Sequence, residues 1–167
     1  MSERFGKLPW LWLSLVIFVV DQASKFWFDN NLTMYQQIVI IPDYFSWTLL
    51  YNTGAAFSFL ADAAGWQRWF FAAVAVGVSV VLVVWLKRLK PEETWLALAL
   101  AMVLGGALGN LVDRVVFGHV VDFILLHWHQ QWYFPAFNVA DMAITGGAIL
   151  LALDMFKSDK SGEKTHD

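Results

Sequence analysis

WLALALAMVLGGALGNLVDR, residues Trp95 to Arg114, runs eighteen residues without a charge before it ends in Asp113-Arg114. At about 1.5 Å of rise per residue, a helix of that length crosses most of a ~30 Å hydrocarbon core. In a soluble domain, such a run must be wrapped in polar protein. This chain has little to wrap it with, since 59% of its 167 residues are hydrophobic and only 15% are charged. The membrane is therefore the first reading.

Three further stretches read the same way: Pro9–Phe28, Trp69–Leu86 and Val139–Phe156. The first, with Arg4 and Lys7 ahead of PWLWLSLVIFVV, has the layout of a secretory signal peptide. Here DQASKFWF follows where a small-x-small cleavage site belongs, so it is read as a retained span. Eight of the eleven basic residues (Arg4, Lys7, Lys87, Arg88, Lys90, Lys157, Lys160 and Lys164) fall in the two tails and the loop after the second span. Only Lys25, Arg68 and Arg114 fall on the other side, which by the positive-inside rule makes both termini cytoplasmic. Trp10, Trp12, Trp85 and Trp95 then mark the inner interface, and Trp27, Trp47, Trp66, Trp69, Trp128 and Trp132 the outer one. The result is a single membrane-embedded unit with spans near 9–28, 69–86, 95–112 and 139–156. Its outer segments lie near 29–68 and 113–138, and a flexible tail occupies 158–167. Disulfides, thiolate nucleophiles and Cys-ligated metals are excluded, because the chain has no cysteine. No acidic or basic tract is long enough to suggest nucleic acid as a partner.

Both outer segments carry strand signals. Leu32–Ile41 and Tyr44–Tyr51 are β-branched and aromatic runs around an Ile-Pro-Asp-Tyr turn, the pattern of a hairpin ending at the turn signal Asn52-Thr53-Gly54. VVDFILL, within His119–His129, is a short strand-like run with an acid inside it.

Most polar residues in these apolar runs have ordinary explanations. Gly105 and Gly109 form a G-x-x-x-G that lets a helix approach closely, and Gly106, Asn110 and Asp113 share one helical face. Asp113 beside Arg114 reads as an interfacial ion pair, and Asp21 with Lys25 as a self-neutralising i, i+4 pair. Ser24 next to Lys25 suggests a Ser-Lys hydrolase, but adjacent helical residues do not face one another. His119, His127 and His129 near Asp122 complete no recognised zinc pattern, so no metal and no cofactor are expected. Asp141 fits the N3 position of a helix capped by Asn138. Asp122, alone within VVDFILL, has no such account. If the strand folds over the outer end of the fourth span, Asp122 meets Asp141. Two carboxyls held close together share a proton, so one can activate water while the other donates.

DQASK at Asp21–Lys25, YNTGAAFS at Tyr51–Ser58, GGALGNLVDR at Gly105–Arg114, VVDF at Val120–Phe123 and FNVAD at Phe137–Asp141 together resemble the lipoprotein signal peptidase (signal peptidase II) family, in order and over nearly the whole chain. The resemblance implies four transmembrane helices with a small periplasmic β-cradle in the bacterial inner membrane. It implies an aspartic endopeptidase that cuts diacylglyceryl-modified prolipoproteins just before the lipidated cysteine. Carried over by motif, Asp122 and Asp141 are catalytic, and Asn52, Gly54, Asn110, Arg114 and Asn138 bind substrate. Asp113 orients Arg114, while Asp21 and Lys25 give structural support. Membrane lipid and peptide-like inhibitors such as globomycin are expected partners.

Two other classes share some of these features. A proton-coupled transporter also places acids in apolar spans, but here they cluster at one face and no pseudo-repeat is seen. A lipid-binding scaffold accounts for the aromatic loops, though not for two separate acids. Cleavage of a lipidated precursor by the purified protein separates all three.

Overall fold

The computed structural model describes residues 5–54 and 65–162. Ala55–Ser58 of the YNTGAAFS motif, Arg4 and Lys164 lie outside them. In chain order a 3-10 turn (Leu8–Trp10) leads into α1 (Leu11–Asn31), then β1 (Gln37–Ile41), β2 (Phe45–Asn52), α2 (Trp66–Arg88), α3 (Thr94–Val116), β3 (Val120–Trp128), β4 (Trp132–Tyr133) and α4 (Val139–Gly162). All four α-helices are long and apolar enough to cross a membrane. α4 continues as helix to Gly162, into the segment read from the sequence as a flexible tail.

α3 is the centre of the bundle. Its apolar window is 56% buried, against 17–22% in the other three helices, and it packs on each of them. Small residues make this possible, since helices in lipid associate by close van der Waals contact and not by excluding water. Gly105 faces α1, where a Cβ would lie 2.8 Å from Ser14 O and 2.9 Å from Ile17 Cβ. Gly106 faces α4 so closely that a Cβ would collide with the carbonyl oxygen of Ala140. At Gly109 a Cβ would strike the Asp21 carboxylate on α1 and touch Ala140 on α4. The glycines expected to admit one helix therefore admit two. α2 and α4 pack on α3 without a packed interface of their own, which leaves a groove between them.

The strands form one antiparallel sheet in the order β1-β2-β3-β4. An aromatic cluster seats it on the C-terminal end of α1, where Phe28 stacks on Phe123 at 4.2 Å between ring centroids, over Leu49 and Val121. In the β1–β2 turn Tyr44 N–H donates to Ile41 O at 3.1 Å, with Pro42 second and Asp43 left-handed third, as in a type II turn. β1 is shorter than the sequence suggests because Thr33–Gln36 forms a turn of its own, Gln36 N–H donating to Thr33 O at 2.9 Å. Along β2–β3, Trp47 opposes Ile124 but Leu50 opposes Asp122, so β2 carries an extra residue beside that acid. Such a bulge bends a strand and re-aims its side chains.

Candidate active site

Backbone pairing brings Asp122 and Asp141 together. Phe137 pairs with Ile124, each donating its N–H to the other's carbonyl at 3.1 and 2.9 Å, so the chain entering α4 runs beside β3. Asn138 then caps α4, its Oδ1 accepting the N–H of Asp141 at 2.9 Å. Asp141 sits in the first helical turn, where free N–H groups and the positive helix end favour a carboxylate. The same Asn138 donates from Nδ2 to Asp122 Oδ1 at 2.7 Å. One asparagine thus touches both acids.

The other amides complete the arrangement. Asn52 Nδ2 donates to Asp122 Oδ2 at 3.2 Å, and Asn110 Nδ2 to Asp141 Oδ1 at 2.8 Å. Three asparagines expected to line a substrate site are bound to the acids themselves. Arg114 donates from Nη1 to Asn110 O at 3.2 Å and from Nη2 to Gly54 O at 3.1 Å, with its guanidinium over the Phe71 ring. Its buried Nε has no hydrogen-bond partner among the described residues. Asp122 is 3% exposed. Burial first, then the charge of Asp141, pushes its carboxyl up to about 7 from the ordinary 3.8, against the pull of Asn52, Asn138 and Lys25.

Two sequence readings are corrected here. Asp113 does not pair with Arg114. Successive helical residues point about 100° apart, and Asp113 turns inward to Lys25, Oδ2 to Nζ 2.9 Å. Asp21 and Lys25 do form a pair, at 2.8 Å, but it is not self-contained. Lys25 also donates to Asn110 Oδ1 at 2.9 Å, and Asp21 Oδ1 accepts the N–H of Ala140 at 2.8 Å. Gln22, passed over in the sequence, donates to Asp113 Oδ1 at 2.8 Å. Its signals in the sequence are a polar side chain beside Asp21 in an apolar span and its place within DQASK.

The histidines do not converge. His127 is buried against Ser46, Nε2 to Oγ 3.1 Å, and His119 packs on Tyr51. His129 lies in the β3–β4 turn with φ 49°, not on the strand, so it shares no strand face with His127. Among the described residues no three His, Asp or Glu side chains are grouped to hold a metal ion.

A cavity of about 740 Å³ opens from Asp141 into the groove between α2 and α4. Asn52, Asn110, Arg114 and Asp141 line its polar end, and Val74, Val78, Val103 and Ile144 line its apolar length. An apolar length with one polar end is the usual form of a ligand pocket.

The family model described as signal peptidase (SPase) II matches residues 13–157. The chain is 72% identical to the lipoprotein signal peptidase of Pseudomonas fluorescens (strain Pf0-1), covering 98% of this chain and 96% of that protein. It is 74% identical to that of Pseudomonas putida (strain KT2440), covering 99% and 97%. A solved bacterial membrane enzyme, 26% identical, superimposes with a TM-score of 0.82 over 100% of this chain and 98% of that one.

Proposed function

The chain belongs to the signal peptidase II family, and from that premise we propose that Asp122 and Asp141 are the catalytic pair with which it cuts its substrate. It is a multi-pass membrane aspartic peptidase, and it removes signal peptides from prolipoproteins. The observation that carries the assignment is the bridging Asn138, which donates to one carboxyl and accepts from the backbone of the other residue.

In this reading Asp141 is the ionised base, held in the first turn of α4, and Asp122 is the resting acid. A water between them gives its proton to Asp141 as its oxygen attacks the scissile carbonyl, while Asp122 delivers its proton to the carbonyl oxygen. The tetrahedral diol then collapses. One hydroxyl returns its proton to Asp122, the proton on Asp141 passes to the leaving nitrogen, and acid and amine separate with both carboxyls reset. Arg114 and Asn52, at the polar end of the cavity, position the substrate backbone or headgroup. The apolar slot takes the lipid and the signal-peptide body, and globomycin-like peptides compete for it. The substrate carries diacylglycerol on a cysteine, and the cut falls just before that residue.

The eight-to-three division of basic residues supports an inner-membrane topology with both termini cytoplasmic, placing the sheet and the acids on the periplasmic side. The span boundaries near 9–28, 69–86, 95–112 and 139–156 belong to the same proposal. The test is cleavage of a lipidated precursor by purified Asp122→Asn and Asp141→Asn variants. Each should fold, insert and lose turnover, and near-normal turnover in either folded variant would refute the pair.

A further inference from the structure

In its C-terminal half α1 turns Asp21, Gln22 and Lys25 toward α3, and none of them hydrogen-bonds to Asp122 or Asp141. Asp21 and Lys25 are 0% and 3% exposed, and Asp113, which meets them from α3, is 1% exposed. A buried ion cluster of this kind is weak evidence for stability, because well-packed apolar replacements often do as well. What the cluster holds is more telling. Asp21 Oδ1 accepts the N–H of Ala140 at 2.8 Å, and Ala140 immediately precedes Asp141. Asp113 Oδ2 accepts the N–H of Val121 at 3.2 Å, and Val121 immediately precedes Asp122.

Lys25 joins the two halves. Its ammonium lies 2.8 Å from Asp21 Oδ2 and 2.9 Å from Asp113 Oδ2. Its third proton goes to Asn110 Oδ1 at 2.9 Å, which turns the Asn110 amide nitrogen toward Asp141. An ammonium has three donors, and all three are used. Gln22 Nε2 steadies the far oxygen of Asp113 at 2.8 Å and reaches Gly109 O at 3.2 Å.

We propose that Lys25 is a positioning residue for the peptidase reaction: by bridging the carboxylates that hold Ala140 and Val121, it fixes the spacing of Asp141 and Asp122. This rests on the catalytic assignment above. Lys25 touches neither substrate nor reacting atoms and acts through the backbone on each side and through the Asn110 amide. A shared proton and an in-line water tolerate little misplacement, and about 1 Å can cost 10²-fold in rate.

The test uses full-length protein in detergent with a lipidated precursor. Lys25→Arg keeps the charge but not the compact three-point contact. It should lower kcat about 100-fold with KM changed less than about threefold. The alkaline limb of its kcat profile should move to lower pH, because Asp122 separated from Asp141 gives up its proton more easily. Gln22→Leu leaves every charge in place. It should fold and show a smaller kcat loss of about fivefold to twentyfold, with the same direction of shift.

Wild-type kcat in folded Lys25→Arg would overturn the proposal. So would wild-type kcat in Gln22→Leu should Lys25→Arg fail to fold, or equal losses in kcat and stability with an unmoved pH limb. Asp122→Asn and Asp141→Asn run alongside. If they are inactive while the Lys25 and Gln22 variants turn over normally, only the spacing role fails. If they cleave, the catalytic assignment itself fails.

Discussion

The amide nitrogen of Asn138 lies 2.7 Å from Asp122 Oδ1, while the oxygen of the same amide caps the helix that carries Asp141. Aspartate in its place keeps the cap, since Asp and Asn serve about equally there. It loses the donor and adds a third carboxylate beside two that already share a charge. Asn138→Asp should therefore melt below the wild type, because buried carboxylates repel, and lose at least about 100-fold in turnover, a loss the size of removing one preorganised donor. Alanine removes both functions and should in addition cost about 1 kcal/mol through the lost cap. Melting and single-turnover cleavage on the two variants separate these effects, and an active Asn138→Asp enzyme would show that the donor is dispensable.

Asp122 sets a pH limit. With its carboxyl pushed up to about 7, it is protonated below that value and ionised above, so turnover should fall as pH rises through about 7. The two carboxyls are coupled, and the limb belongs to the pair. The sign for stability follows from proton counts. Between 3.8 and about 7 the folded chain holds a proton that the unfolded chain has released. This contribution is therefore complete below 3.8 and is lost as pH climbs through about 7. Melting temperature should decline over that window in the wild type and decline less in Asp122→Asn. Equal slopes would mean that Asp122 titrates normally.

Gly106 offers a test remote from any charge. Gly106→Ala gains roughly 1 kcal/mol in helix propensity and loses roughly 1–3 kcal/mol by overpacking against the Ala140 carbonyl. Backbone cannot rotate out of the way, so α4 must shift at the residue before Asp141. Melting should change modestly while turnover falls more than about tenfold. Gly77→Ala on α2, where a Cβ meets nothing within 4 Å, is the control and should keep full activity.

A chain without cysteine makes topology simple to read. Gln131, exposed in the β3–β4 turn, and Lys90, exposed between α2 and α3, lie at opposite ends of the bundle. In intact spheroplasts an impermeant thiol reagent should label Gln131→Cys at once and Lys90→Cys only after permeabilisation. Labelling of both before permeabilisation would contradict the proposed orientation.

The spans were legible because hydrocarbon demands length and apolarity, and sequence displays both directly. The start of α4 was legible for a similar reason, since Asn138 and Asp141 stand at the cap and N3 positions that a helix N-terminus favours. Contacts between helices were not. Gly105 and Gly106 announce close packing, but neighbours in sequence point about 100° apart and so serve different partners. Asp113 looked paired with Arg114 because they are adjacent, and its real partner, Lys25, lies on another helix. β4 is only two residues long, and its turn places His129 and Gln130 at positive φ where Asn and Gly are the usual signal. Pattern reading has nothing to recognise there.

α2 contributes nothing to the ion cluster and no hydrogen bond to either acid, yet Val74, Ala75 and Val78 form one wall of the cavity. The acids, their hydrogen-bond partners and the ion cluster come from α1, β2, α3, β3 and α4, while the shape of the slot is left partly to a helix outside that assembly. What is cut and what fits are thus written in different parts of the chain. On the proposed reading of the cavity as the substrate slot, changes along α2 should retune which signal peptides fit, while the bond that is cut stays the same.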